Sequence, residues 1–186
     1  WRVGSKPVTS AVLAELASAK VEKEISRQAV GNWPAKNGRP NIVVIYADDH
    51  SEAAISSYGS KINQTPNIDK LAAQGMRFTQ SFVANSICGP ARATLLTGTH
   101  SHTNGRVNNV SAFNTKLPTW AREMRREGYR TAMIGKWHLP GNPLAEDFDF
   151  WAKTHGYYAK GLQTSEGKMD RDGYTVDLIT DLGLEW

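Results

Sequence analysis

Apolar and polar residues alternate along this chain in blocks that predict strands and helices in turn. Residues 42–46 form a continuous apolar and β-branched run, which is typical of a strand buried on both faces of a parallel sheet. Two further apolar runs predict strands at residues 76–83 and 129–134. Helical periodicity and capping residues predict helices over residues 11–30, 65–75, 90–97, 117–127 and 174–186. The alternation of strands and helices from residue 42 onward indicates an α/β fold.

A polar segment with two prolines and a glycine interrupts the pattern before residue 40. It predicts an N-terminal helix and linker over residues 1–38 and a second unit, with its own core, over residues 39–186. The whole chain has 186 residues, which is enough for one ordinary domain.

Composition and charge exclude several classes of protein. Hydrophobic residues make up 40% of the chain and charged residues 22%, as in soluble globular proteins. The net charge is +4, and the basic residues are scattered apart from a cluster of arginines at 122, 125, 126 and 130. Because no basic stripe with interleaved aromatics occurs, we expect no nucleic-acid partner. No apolar run is long enough to span a membrane, so we expect no membrane partner, and no signal-peptide core is present.

Side chains that could take part in binding or catalysis follow each of the three predicted strands. Asp48 and Asp49 follow the first, Cys88 the second, and Lys136 and His138 the third. In open parallel sheets, ligands gather at the carboxyl ends of the strands. We therefore expect these three groups of residues to lie close together.

Cys88 is the only cysteine, so it cannot form an internal disulfide. It is either a small buried hydrophobe or a chemical centre. It lies just before a predicted helix, whose first N–H groups and dipole favour an anion. Arg92, one turn further on, returns to the same face and could neutralise negative charge there. The alternative for Arg92 is an ordinary surface arginine.

Asp48 and Asp49 are adjacent carboxylates that repel each other unless a cation joins them, and their oxygens suit Ca²⁺ or Mg²⁺. The alternative is a polar loop or a helix cap. Lys136 could stabilise charge and His138 could transfer a proton, the alternative being a solvent lysine and a loop histidine. Three other histidines are interpreted as loop, pocket-rim or supporting residues: His50, His100 and His102.

Two segments carry a family resemblance. Residues 86–98, Ser-Ile-Cys-Gly-Pro-Ala-Arg-Ala-Thr-Leu-Leu-Thr-Gly, resemble the signature of the type I sulfatases, and residues 128–138 resemble their second signature. The resemblance implies that a formylglycine-generating enzyme oxidises Cys88 to formylglycine. One hydroxyl of the hydrated aldehyde then attacks sulfur, and the other, on losing its proton, expels sulfate.

The resemblance further implies an alkaline-phosphatase-like fold, with a parallel-type sheet flanked by helices, of which this chain is the N-terminal portion. It implies that Asp48, Asp49 and residue 88 bind Ca²⁺, with Mg²⁺ possible. It also implies that Arg92, Lys136 and His138 join residue 88 in catalysis, the last two binding the sulfate.

The expected function is therefore hydrolysis of a sulfate ester of a small molecule or glycan, with a sulfated carbohydrate preferred. The alternatives are a phosphonate monoester or phosphodiester hydrolase of the same superfamily, and a truncated non-catalytic remnant. The resemblance also implies that family members bring two further metal ligands, a histidine and a lysine from later in the sequence, so these 186 residues alone are expected to be poorly active or inactive. The family resemblance implies a periplasmic, secreted or lysosome-like location.

Overall fold

The structure is a computed structural model that describes residues 38–186. These residues fall into two units, 38–46 and 47–186. The larger unit begins with two 3₁₀ helices, Glu52–Ala54 and Ser56–Tyr58. The elements that follow in it are α1 (Pro66–Gln74), α2 (Cys88–Thr97), α3 (Ser101–Asn104), α4 (Trp120–Arg126), β1 (Ala132–Gly135), β2 (Phe150–Lys153), β3 (Tyr158–Thr164), β4 (Gly167–Tyr174) and α5 (Thr175–Glu185).

The four strands form one mixed sheet in the order β1-β2-β3-β4. Strands β1 and β2 are parallel, whereas β3 runs antiparallel to both β2 and β4. A two-residue turn joins β3 to β4, and a register shift falls between Lys160 and Leu162. Gly161 lies at this irregularity with φ of 78°, and a Cβ there would approach the Met169 carbonyl oxygen to 3.1 Å. Glycine thus permits the bulge. The expected α/β fold is confirmed, with a sheet that is mixed rather than wholly parallel.

The helices follow their local signals closely. Pro66 opens α1, and the N–H of Gly75 closes it on the Leu71 carbonyl. Gly98, with φ of 65°, ends α2 by donating to the Thr94 carbonyl. The Thr119 hydroxyl accepts from the Arg122 N–H and caps α4. Across residues 38–186, no helix has the length and apolar composition that crossing a bilayer requires.

Two apolar clusters hold the larger unit together. One joins α2, α4 and the segment after β1, and its buried members are Ala93, Leu96, Ala121, Trp137, Leu139 and Phe148. The other joins the sheet to α5, and its buried members are Ala152, Ala159, Leu162 and Leu182. The first cluster therefore anchors α2 and the segment after β1, which carry four of the expected site residues.

The arginine cluster that stands out in the sequence is engaged within the protein. Arg122 Nε donates to the buried carboxylate of Asp147 at 2.7 Å. Arg125 pairs with Asp149 at 2.8 Å, and Arg126 pairs with an exposed glutamate one turn earlier in α4. Arg122 and Arg125 thus tie α4 to the segment before β2, whereas the Arg126 pair lies within α4.

Two of the three predicted strands are wrong. Residues 42–46 form no strand, and their side chains are between 42% and 85% exposed. Residues 76–83 also form no strand, and Tyr58 Oη and the Arg77 guanidinium, rather than a ladder, tie this segment to the 3₁₀ region. A strand needs a neighbour on which to place its N–H and C=O groups, and the described residues provide none for either run. The third predicted strand is β1.

Strands β2, β3 and β4 were not expected from the sequence pattern, and they supply most of the sheet. Strand β4 is mainly polar and mostly exposed, so it lacks the apolar alternation on which the prediction depended. The helix predicted over residues 11–30 lies outside the described residues, as does most of the predicted N-terminal unit.

Candidate active site

Cys88 is the first residue of α2, two residues before the predicted start of that helix. The side chain of Ile87, at the N-cap position, makes no capping hydrogen bond. Gly89, Pro90 and Ala91 are buried and fix the first turn, while Cys88 is only half-buried. The thiol therefore stands at the positive end of a ten-residue helix with its own side chain accessible.

Arg92, one turn into α2, connects two distant segments. Its Nη1 donates to the Lys136 carbonyl oxygen at 2.6 Å, and its Nη2 donates to Asp48 Oδ1 at 3.2 Å. The guanidinium side chain is only 13% exposed. Arg92 is thus an internal group of this site rather than the ordinary surface arginine of the alternative interpretation.

Asp48 lies between two cations. Its second oxygen, Oδ2, accepts from Lys136 Nζ at 2.5 Å. The hydrogen bond from Lys136, assisted by the one from Arg92, holds the pKa of Asp48 below its usual value. The carboxylate is therefore ionised at neutral pH, and it holds the two cations together.

His138 follows β1 by three residues. Burial lowers the pKa of His138, and the charges of Lys136, Arg106 and Arg92 lower that pKa further. The imidazole is therefore neutral at neutral pH and can take up a proton. Its Nδ1 is buried and finds no hydrogen-bond partner within residues 38–186.

Two backbone conformations mark the same site. Asp49 and His138 both have φ of 54°, and they are the two non-glycine residues with positive φ in the described part of the chain. This left-handed conformation is uncommon for residues other than glycine. Such residues concentrate where the chain must present a side chain in a particular direction.

Asn109 contacts Cys88, a contact that the sequence did not predict. Its Nδ2 lies 3.7 Å from the Cys88 sulfur, and its Oδ1 accepts from the Gly89 N–H at 2.9 Å. The sequence contained only a weak signal for this role, a polar segment shortly after the cysteine motif. Its separation of 21 residues from Cys88 follows no local periodicity.

His100 and His102 form a pair of their own. His100 and His102 stack on each other, with ring centroids 5.9 Å apart, at the start of α3. No group of three acidic, histidine or cysteine side chains that could hold a metal occurs within residues 38–186. The carboxylates of Asp48 and Asp49 suit a divalent cation in kind, but the described residues do not complete its ligand set.

Comparisons with known proteins identify the family of this chain. The family model described as Sulfatase matches residues 40–186. The N-acetylglucosamine-6-O-sulfatase of Bacteroides thetaiotaomicron is 40% identical over 154 residues, which are 80% of this chain and 27% of that protein. The solved structure of BT4656 in complex with its substrate D-glucosamine-2-N,6-O-disulfate is similar with a TM-score of 0.74 and 40% identity, over 78% of this chain and 30% of that chain. The chain belongs to the sulfatase family.

A further solved structure bears on the alternative function. The phosphonate monoester hydrolase of Agrobacterium radiobacter is similar with a TM-score of 0.51 and 36% identity, over 56% of this chain and 21% of that chain. The present chain covers between 21% and 30% of the length of these three relatives.

Proposed function

We propose that this chain is part of a sulfuric ester hydrolase that cleaves the sulfate ester of a sulfated carbohydrate, with Cys88 as the precursor of its nucleophile. The observation that carries the proposal is the meeting of Asp48, Arg92 and Lys136, which lie 44 and 88 residues apart in the sequence. They form a compact set of charges beside the N-terminus of the Cys88 helix. Membership of the sulfatase family supports the same reaction.

The cations, His138 and residue 88 each have surroundings that fit a role in sulfate ester hydrolysis. The guanidinium of Arg92 and the ammonium of Lys136 offer positive charge to a sulfate group, and the first turn of α2 adds its N–H groups. The neutral imidazole of His138 is able to take a proton from a hydroxyl or give one to the departing alcohol. Oxidised and hydrated, residue 88 would supply both the attacking hydroxyl and the second hydroxyl whose deprotonation frees the sulfate.

The divalent cation is part of the same proposal. Asp48, Asp49 and the oxygen of a matured residue 88 would hold Ca²⁺ or Mg²⁺, which lowers the pKa of a bound hydroxyl. A cation of this kind takes six or more oxygen ligands, and two carboxylates leave most of these positions to other donors. Because both Asp48 oxygens accept from Arg92 and Lys136, the cation would share this carboxylate with them.

A sulfated amino sugar is the favoured substrate. The names of two relatives support it: an N-acetylglucosamine-6-O-sulfatase and a structure with D-glucosamine-2-N,6-O-disulfate bound as substrate. Tyr157 and Tyr158 are largely exposed and could stack on a sugar ring, whereas Phe148 and Trp151 are buried. The proposal also includes a formylglycine-generating enzyme as maturation partner and a periplasmic, secreted or lysosome-like location.

A phosphonate monoester hydrolase is the second candidate, and the similarity to the Agrobacterium radiobacter enzyme favours it. Sulfate esters and phosphonate monoesters both place an anionic tetrahedral group at the nucleophile, so the cations described above suit either one. The charge of the reacting group differs little between them. The choice between the two therefore depends on relative turnover.

The test compares turnover of an aryl sulfate and an aryl phosphonate by the full-length protein, produced with its maturation enzyme. We expect a higher kcat/KM for the aryl sulfate, and we expect the Cys88→Ala variant to lose that turnover. A higher kcat/KM for the aryl phosphonate would favour the second candidate. Absence of Cys88-dependent turnover of both compounds would contradict a hydrolase and favour the non-catalytic remnant.

A further inference from the structure

Arg106 is a buried cation beside the site, and none of the roles above uses it. It is 4% exposed, and its guanidinium donates to three backbone carbonyls. Nη2 donates to Asn109 at 2.5 Å and to His138 at 3.3 Å, and Nη1 donates to Ser111. One side chain therefore joins the turn over residues 107–111 to the segment that follows β1.

The charge of Arg106 is not compensated by a nearby carboxylate. No salt bridge to this side chain occurs within residues 38–186, and its buried Nε finds no acceptor there. Burying a cation without a charged partner is costly, so a purely structural link would be made more cheaply by a neutral side chain. A guanidinium at this position is explained by its donors, because one rigid planar group binds three backbone carbonyls at once.

The Arg106 guanidinium also packs against the first turn of α2. A Cβ added at Gly89 would approach Arg106 Nε to 3.0 Å and Asn109 Oδ1 to 2.9 Å. Only glycine leaves room for both groups at this position. The chain next to Cys88 is thus in direct contact with Arg106 and Asn109.

Asn109 completes the connection to residue 88. The Ile87 side chain cannot cap α2, and Asn109 provides the missing acceptor by binding the Gly89 N–H. The same amide directs its Nδ2 to the Cys88 sulfur. Because Arg106 binds the Asn109 carbonyl, the position of this external cap depends on Arg106.

We propose that Arg106 is a positioning residue of this site, which holds Asn109 against Gly89 and Cys88 and fixes the backbone of His138. It acts through these neighbours rather than on the substrate. The expected effect of Arg106 on turnover rests on the proposed function, whereas its expected effect on the Gly89 N–H at the start of α2 does not. Both can be measured, so the two can fail separately.

The structural consequence is tested by amide hydrogen exchange at Gly89, whose N–H is bound to Asn109. We expect Arg106→Met to accelerate this exchange at least about tenfold, because the released turn no longer holds the acceptor. Arg106→Lys, which retains the charge but has a single nitrogen, should give an intermediate value and remains informative if the Met variant does not fold. Arg171→Met is the control, because it also removes an arginine that joins two elements, but its hydrogen bonds to Glu185 link β4 to α5 rather than contact α2.

The kinetic consequence is tested in the matured full-length protein. We expect Arg106→Met to lower kcat for an aryl sulfate about 10²-fold, as small misplacements of reacting groups do, with a much smaller change in KM. Arg171→Met should leave kcat unchanged. In an Asn109→Ala background, Arg106→Met should lower kcat by a smaller factor, because part of the effect of Arg106 depends on Asn109.

Unchanged exchange at Gly89 in both Arg106 variants would overturn the proposal. The proposal would also be overturned if Arg106→Met lowered kcat by the same factor with and without Asn109→Ala, and if Arg106→Lys recovered none of the lost kcat. If the wild-type protein has no turnover but Gly89 exchange responds as expected, the proposed function fails while the positioning of Asn109 by Arg106 stands.

Discussion

Replacing Arg122 by methionine should destabilise the larger unit strongly, because it isolates a buried carboxylate. Asp147 is 1% exposed, and Arg122 Nε binds its Oδ1 at 2.7 Å. The other oxygen, Oδ2, has no hydrogen-bond partner elsewhere in residues 38–186. The second contact of Arg122, to Glu146, involves an exposed carboxylate and contributes little.

The magnitude follows from this burial. Breaking a buried pair by removing one partner costs about 3–5 kcal/mol, since the remaining charge is neither solvated nor paired. For a domain of this size, 1 kcal/mol lowers the melting temperature by about 2–4 °C. We therefore expect Arg122→Met to melt roughly 6–20 °C below the wild-type protein.

The assay is thermal and urea unfolding of the full-length protein. The double variant Arg122→Met/Asp147→Asn should recover more than half of the lost stability, because it no longer buries a negative charge. A single variant that unfolds within about 0.5 kcal/mol of wild type, the range of an ordinary surface change, would refute this reasoning. So would a double variant less stable than the single one.

Three further predictions concern charge and metal. Burial raises the pKa of Asp149, but the Thr131 N–H and the Arg125 charge outweigh it and hold that pKa below 3.8. Asp149→Asn should therefore lower the free energy of unfolding by about 1 kcal/mol at pH 7, and urea titrations should show this difference shrinking as the pH falls below 3.8. Lys136→Met should reduce kcat/KM for an aryl sulfate about 10²–10³-fold, whereas the exposed control Lys168→Met should stay close to wild type. Dialysis against a chelator should lower both turnover and melting temperature, and Ca²⁺ or Mg²⁺ should restore them; unchanged values would contradict a bound cation.

The helices were predictable because their signals are local. Proline at the first turn of α1 and glycine after α1 and α2 act on neighbouring residues, so periodicity and capping place these helices within about two residues. The start of α2 was predicted too late. Its extra residues are Cys88 and Gly89, and the Gly89 N–H is satisfied by Asn109, an acceptor that no local pattern reveals.

The strands were less predictable because their partners are distant in sequence. An apolar run at residues 42–46 indicates a need for burial on both faces, but it does not supply the neighbours. Conversely, β4 forms as one half of a tight hairpin with β3 although its residues are mostly polar and exposed. Pairing across a two-residue turn overrides weak intrinsic preference here.

The residues of the site also differ in how far the sequence predicts their roles. Cys88, Arg92 and Lys136 stand in recognisable motifs, so their chemistry was readable from the sequence. The sequence assigned no individual role to Arg106, because its role depends on a contact with the His138 carbonyl 32 residues away. Nothing in its immediate neighbours distinguishes it from a surface arginine before the fold is known.

Peptide mass spectrometry of the natively produced protein shows whether Cys88 is the precursor of the nucleophile. Trypsin should release residues 78–92, which contain the chain's single cysteine. We expect this peptide to carry the aldehyde of formylglycine at position 88, detectable by its mass and by reaction with a hydrazide. An intact thiol at residue 88 in protein made by its own host would contradict a formylglycine-dependent hydrolase.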